Sequence, residues 1–426
     1  MTRSACACLI AIVLAMLLAS LAGGAPPRAD LVAADSLYGR GEFAAADSAY
    51  AAAIARDSAS ARAVQRRGII ALYRNRLDDA QRFLRKVLAS APGDTNTVRL
   101  LAEACFRADD FKQAAALNRA VGRNAVADQL ESFAGQQPYR TTGSESIVRF
   151  VQTDPLPVIA MRVNSSDSSY FIVDSGAGEL MLDSTFAAQV GARRFGSGQA
   201  IYAAGQVGGY QYGRVDSVRI GDFTVHDVPV QVRDMRAFSA VAGGRRVDGI
   251  LGTIFLYHFL PTLDYPQGRL VLRRRSEASL AAVERQAAEE GAQTVPFWLA
   301  GDHLMLASGR INEAGPFLWY VDTGLAGAGF TCPETTLAVA GIRPNEGQRG
   351  EGIGGGGRVS IVPFTVNTLT LGPATEHGVA GFLGPFPPSM ARLYGFRVGG
   401  LISHGFLRHY AMTMDFERMR YFLKRE

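Results

Sequence analysis

Two short stretches decide the fold: Phe171-Ile172-Val173-Asp174-Ser175-Gly176-Ala177 and Trp319-Tyr320-Val321-Asp322-Thr323-Gly324-Leu325. In each, a hydrophobic run ends in Asp-(Ser/Thr)-Gly. A strand running into a turn that glycine permits can hold a carboxylate at the rim of a cleft, against backbone N–H groups rather than bulk water. One copy alone reads as a turn. Two copies in one chain predict a pair of carboxylates.

The surroundings of the two copies repeat as well. Asp183 to Gly191 and Pro333 to Gly341 each read as a short capped helix. Val215 to Gly221 matches Val366 to Gly372, and both alternate apolar and polar residues as half-buried strands do. Asp248-Gly249-Ile250-Leu251-Gly252, followed by Phe255, Leu256, His258, Thr262, Leu263 and Asp264, is echoed by Gly399-Gly400-Leu401-Ile402-Ser403, followed by Phe406, Leu407, His409, Thr413, Met414 and Asp415. The offset is 148 residues at the Asp motifs and 151 from Val215 onward. Two homologous β-rich lobes are the simplest account.

From about residue 145 to 426 the chain resembles the aspartic peptidases, with the two-lobed arrangement of pepsins and the short lobes of retropepsin-like bacterial proteins. The resemblance implies that each lobe supplies one catalytic Asp, Asp174 and Asp322, braced from beneath by an apolar-apolar-Gly segment. It implies a polypeptide substrate, a water activated between the two acids, and neither metal nor cofactor. It gives Ser175, Gly176, Thr323 and Gly324 supporting roles, with the two hydroxyls crossing to the opposite loop; ordinary turn chemistry is the alternative for those hydroxyls. Two positions depart from the family pattern: Leu325 stands where a small residue is usual, and Ser403 stands where the brace has Gly. Both departures fall in lobe two. Gly-rich stretches at Ala204 to Tyr210 and Gly352 to Gly357 read as flap-like hairpin tips, with Tyr202 and Tyr210 as candidate flap aromatics. Gly350, Gly352 and Gly355 satisfy G-x-G-x-x-G, but the following Val359 to Phe364 reads as strand, not as the helix a dinucleotide site requires.

Upstream lies a second repeat with a period of 34, aligning Ala46, Ala80 and Ala114, and Phe43, Leu77 and Phe111. It resembles tetratricopeptide-type helical hairpins, which implies either a protein partner on a concave surface or a passive helical spacer. The fold class expected is therefore multidomain, with N-terminal all-α helical repeats followed by an all-β bilobal acid-protease fold. The expected divisions are a signal peptide at 1–24, helical repeats at 30–123, a linker at 124–144, lobe one at 145–275, a connecting helix at 276–292 and lobe two at 293–426.

The first of these rests on Arg3, the apolar core Leu9 to Leu21 and the small residues Ser20, Ala22 and Gly24, a pattern that implies export to a periplasmic or extracellular location, anchored if uncleaved. Composition agrees with folded protein: 426 residues, 48% hydrophobic, 19% charged. The net charge of +5 comes from scattered arginines with no basic, aromatic-interleaved run, so nucleic acid is not expected as a partner. The six histidines show no close metal spacing, and Cys105 and Cys332 belong to different predicted domains. His258 and His409 occupy equivalent repeat positions, which predicts a shared packing role. Two other classes remain: a non-catalytic protein that captures peptides in the cleft, and a helical-repeat scaffold with structural β lobes.

Overall fold

The computed structural model describes residues 29–202, 205–240, 242–354, 357–384, 386 and 390–426. The expected signal segment lies outside the described residues. Helices occupy Ala29–Gly39, Phe43–Arg56, Ala61–Tyr73, Leu77–Ser90, Thr95–Arg107, Phe111–Ala120 and Asn124–Glu131. Ala46, Ala80 and Ala114 are each fully buried, so the 34-residue period marks the small positions where helices approach closely. The turns carry the same period. Gly41, Asn75 and Asp109, 34 residues apart, all adopt left-handed backbone, a conformation that Gly, Asn and Asp tolerate best.

This row of turns docks onto the β lobes. Gly41 lies against Leu318, where a β-carbon would come within 2.8 Å of the side chain. Asn75 donates to the Phe416 carbonyl (3.0 Å) and accepts from the Tyr257 hydroxyl (2.8 Å). Asp109 pairs with His258 Nε2 at 3.0 Å. One shared core joins Tyr38, Phe43 and Tyr73 of the helices to Trp298, Leu318, Tyr320 and Phe396 of lobe two. One face of the repeats is thus taken up within the chain.

Residues 124–144 are not a linker. They form the helix Asn124–Glu131 and the strand Arg140–Thr142, which pairs with Phe223–Arg233. Gln129 is buried and its amide donates to the carbonyls of Gly213 (2.7 Å) and Val230 (3.2 Å). Leu130, Phe133 and Tyr139 bury into the core of lobe one. Three anchors spread over ten residues have neither helical nor strand period, which is why the segment reads as unstructured in sequence.

The lobes meet in one six-stranded antiparallel sheet. Its order is Glu145–Gln152, Arg269–Arg274, Phe259–Asp264, Tyr410–Asp415, Arg420–Arg425 and Gln293–Ala300. At its centre Thr262 and Thr413, equivalent by the 151-residue offset, bond Oγ to Oγ at 2.7 Å. The helix Glu277–Glu289, started by a Ser276/Ser279 capping box, covers one face of that sheet by burying Leu280, Val283 and Ala287 against Leu260 and Phe422. His258 and His409 do not share a role. His258 stacks on Tyr139 with ring centres 3.7 Å apart, whereas His409 stands on the surface 3.9 Å from Glu376, because the helices cover only the first of the two corners.

Candidate active site

The strands Ser169–Val173 and Ala314–Val321 deliver the two Asp loops to one point. Phe171, Val173, Trp319 and Val321 are fully buried, as their apolar character requires, and this fixes both strand ends. Beneath each runs a parallel brace: Ile172 pairs with Ile250 and Val173 with Leu251, while Tyr320 pairs with Leu401 and Val321 with Ile402. The Asp174 N–H donates to the Leu251 carbonyl (3.1 Å) and the Asp322 N–H to that of Ile402 (2.9 Å).

The loops then bond across the lobe boundary. Thr323 Oγ1 accepts from the Ser175 N–H (2.9 Å) and donates to the Val173 carbonyl (2.9 Å). Ser175 Oγ accepts from the Thr323 N–H (3.1 Å) and donates to the Val321 carbonyl (3.3 Å). These are cross-lobe bonds, not local turn chemistry. Gly176 N–H donates to Asp174 Oδ1 and Gly324 N–H to Asp322 Oδ1, each at 2.7 Å. A β-carbon on Gly176 would fall 2.3 Å from an Asp322 oxygen, and one on Gly324 would fall 2.3 Å from the Asp174 carboxyl. Glycine is therefore required on both sides, because each loop's backbone is the wall against which the opposite carboxyl rests. The six predicted positions, Asp174, Ser175, Gly176, Asp322, Thr323 and Gly324, come together in one place.

The two carboxyls thus face each other across the lobe boundary, each packed against the other's Asp loop. Burial pushes both upward. Asp322 is held well above the ordinary carboxylate range, first by burial and then by repulsion from Asp174. The rise at Asp174 is opposed by the neighbouring Asp322 carboxyl, the Gly176 N–H and the charge of His303. Such a pair retains one proton where isolated carboxylates would have lost theirs, and it can both accept and donate a proton at one point.

The two departures in lobe two touch each other. Gly252 in the lobe-one brace crosses so closely that a β-carbon would meet the carbonyls of Gly178 and Glu179 at 2.4 Å. At the matching place Ser403 is fully buried in extended backbone. Its Oγ accepts from the Leu325 N–H (3.1 Å) and donates to the Leu325 carbonyl (3.2 Å). The lobe-two loop is longer before its next strand, Phe330–Thr331, and leaves room for this side chain. Ser403 is therefore a partner of the loop, not an intruder beneath it.

The carboxyls open onto a cavity of about 410 Å³, lined by Leu156, Met181, Phe238, Leu325, Ile361 and Phe382 among other apolar residues. Two hairpins cover it, Arg193–Ile201 with Val207–Ile220 and Gly350–Gly354 with Gly357–Leu371. They touch where the Gln206 amide donates to the Arg358 carbonyl at 2.8 Å. Of the two candidate flap aromatics, Tyr202 lines the cavity with the Arg233 guanidinium 4.1 Å from its ring centre. Tyr210 instead donates to the Tyr212 hydroxyl (2.8 Å). Arg233, Asp302 and His303 were not legible as site residues. Asp302 had one signal: it stands 148 residues after Asp154, the offset of the two Asp motifs. Both reach across the boundary, Asp154 to His404 Nε2 at 2.7 Å and Asp302 to the Asp174 loop at Gly178.

Residues 159–255 match the family model described as aspartyl protease, and residues 71–130 match that of the tetratricopeptide repeat. The first match contains the Asp174 loop and its brace; the Asp322 loop lies beyond it. No curated protein matches the chain. An aspartyl protease domain implies peptide substrates, and tetratricopeptide repeats often mediate protein interactions.

Proposed function

We propose that this chain is an exported aspartic endopeptidase that hydrolyses polypeptides through Asp174 and Asp322. The observation that carries the reading is the facing pair of carboxyls, each resting on the other lobe's Asp loop at the floor of a covered apolar cleft. The ionised carboxyl takes a proton from a water lying between the two, and that water's oxygen adds to the peptide carbonyl carbon. The protonated carboxyl donates to the developing oxyanion. Collapse of the tetrahedral adduct breaks the C–N bond as a proton passes to the leaving nitrogen, and the pair again holds one proton. The two hairpins grip the substrate backbone and keep bulk water out.

Asp174→Asn and Asp322→Asn test this directly. Each variant is expected to lower cleavage of an unfolded protein by at least about 10³-fold, with thermal unfolding still cooperative; turnover surviving in either one sinks the two-carboxylate mechanism. A second reading, peptide capture without turnover, is favoured by Leu325, whose bulk lines the cleft beside the pair. Tight binding of a statine-type analogue with no cleavage at any pH decides for capture. Export rests on the charged start and apolar core of the first 24 residues, and fractionation of producing cells checks it.

A further inference from the structure

Each lobe turns a trio of neighbouring strand residues toward the cleft. In lobe one, Ile250 of the brace stands between Ile172, its parallel partner, and Met181, its antiparallel partner. In lobe two, Leu401 of the brace, 151 residues further on, stands in the same way between Tyr320 and Thr331. Directly paired residues point to one face of a sheet, and all six line the cavity onto which the carboxyls open. Ile172 and Tyr320 each stand two residues before an Asp of the pair, so the trios are matching walls of one cleft.

The walls match in position but not in chemistry. Ile172, Met181 and Ile250 carry no N–H or O–H, whereas Tyr320 and Thr331 put a phenol and a hydroxyl at the equivalent points. Thr331 is 1% exposed, and its Oγ1 is buried with no hydrogen-bond partner among the described residues. A buried hydroxyl left unpartnered is costly, and one in the wall of a cleft can be satisfied by what binds there. His303 adds to the same contrast: it stands 148 residues after Pro155, the offset of the Asp motifs, and lines the cavity with an imidazole. It is held in place, since its Nδ1 bonds to Asp302 Oδ1 at 2.5 Å. Behind it Arg107, the last residue of the helix Thr95–Arg107, donates to the carbonyls of Leu299 (3.0 Å) and Gly301 (2.8 Å). On the lobe-one side the guanidinium of Arg233 is taken up with Tyr202 of the covering hairpin, 4.1 Å from its ring centre.

We propose, resting on the peptidase reading above, that the two residues flanking the cleaved bond are chosen by opposite criteria. Lobe one takes an apolar side chain, against Ile172, Met181 and Ile250. Lobe two takes a neutral side chain with a hydrogen-bonding head, an amide or a hydroxyl, and Thr331 is the residue that selects it. Leu401 and Phe382, the strand partners of Thr331 on either side, receive the hydrocarbon stem of that side chain. Gln and Met are close in length and shape and differ in the head, so they separate the two criteria. A Met side chain in lobe two leaves Thr331 unpartnered. A Gln amide against Met181 gives up its bonds to water and gains none.

The test sets four pairs, Met-Met, Met-Gln, Gln-Met and Gln-Gln, on either side of a bond found cut in an unfolded protein, and measures kcat/KM of the full chain on each peptide. In the wild type one mixed peptide is expected to be the best substrate and its reverse the worst, at least about tenfold apart. Thr331→Val keeps the shape of the side chain without the hydroxyl. It is expected to lower cleavage of the best peptide about tenfold relative to Met-Met, with the preference on the other side of the bond unchanged. Met181→Thr is expected to admit Gln on that other side alone. Any other wild-type ranking overturns the proposal without need of a variant, and so does a Gln-to-Met ratio that Thr331→Val leaves where it was. If the wild type cuts no unfolded protein, the peptidase reading has failed, and fluorescence anisotropy of the four pairs in one labelled peptide reads the walls by binding alone. A mixed peptide held tightest, by a margin that Thr331→Val removes, then still supports the proposal, and any other order refutes it.

Discussion

At the scale of the residue, the site depends on side chains that serve the opposite lobe. Ser175 and Thr323 each satisfy main-chain groups across the boundary, so neither Asp loop is complete without the other. Glu179, buried just beyond the Asp174 loop, makes the protein's stability depend on pH. Burial, with Asp302 adding to it, pushes its carboxyl from 4.5 up to about 7. The unfolded chain ionises this group first, so its stabilising contribution is complete below about pH 4.5 and drains away as pH rises through 7. Relative to Glu179→Gln, the wild type is expected to lose about 3 kcal/mol across that interval. Urea unfolding of both proteins at several pH values measures it, and parallel curves would contradict it. The duplicated Asp-(Ser/Thr)-Gly motif made Asp174 and Asp322 legible in the sequence. Asp302, His303 and Glu179 were not, because a side chain that acts through its neighbours across a fold leaves no local pattern.

At the scale of the element, the two braces solve one packing problem in two ways. Gly252 has carbonyls at 2.4 Å where a side chain would begin, whereas Ser403 fits beneath a longer loop and bonds it twice. Gly252→Ala is expected to cost about 3 kcal/mol through overpacking against backbone that cannot yield. Ser403→Gly should cost only about 1–2 kcal/mol, the worth of its two hydrogen bonds. Equal losses in paired denaturation curves would mean that the braces are equally tight. Elements with a regular period were readable in advance, as in the helix Glu277–Glu289 with its buried Leu280, Val283 and Ala287. The segment 124–144 was not, since its structure is dictated by what it leans on, including the Gly213 and Val230 carbonyls that Gln129 satisfies.

At the scale of the whole molecule, the helical repeats are fastened to both lobes. Arg107 is one such tie: beyond its two bonds into lobe two it donates to the Leu72 carbonyl (3.1 Å) and pairs with Glu103 (2.7 Å). Arg107→Met keeps the stem but strands those buried carbonyls, and a loss of about 3 kcal/mol is expected. Cleavage of the full chain between repeats and lobes under limited proteolysis should speed up with it; an unchanged digestion pattern would show that the apolar contacts alone hold the two parts together. The 34-residue period disclosed the helices, but not that Gly41, Asn75 and Asp109 form a docking edge. Their partners Leu318, Phe416, Tyr257 and His258 are too far along the chain for any sequence window to join them.

That separation bears on the order in which the molecule assembles. Tyr38 donates to the Tyr394 carbonyl at 3.3 Å, and the rings of Phe43 and Phe396 lie 5.0 Å apart, so one core is shared by segments about 350 residues apart in the sequence. Closing so long a loop costs entropy before any contact rewards it, and chains dominated by such pairings fold slowly. During synthesis this core cannot be completed until the last quarter of lobe two, which carries Tyr394 and Phe396, has been made.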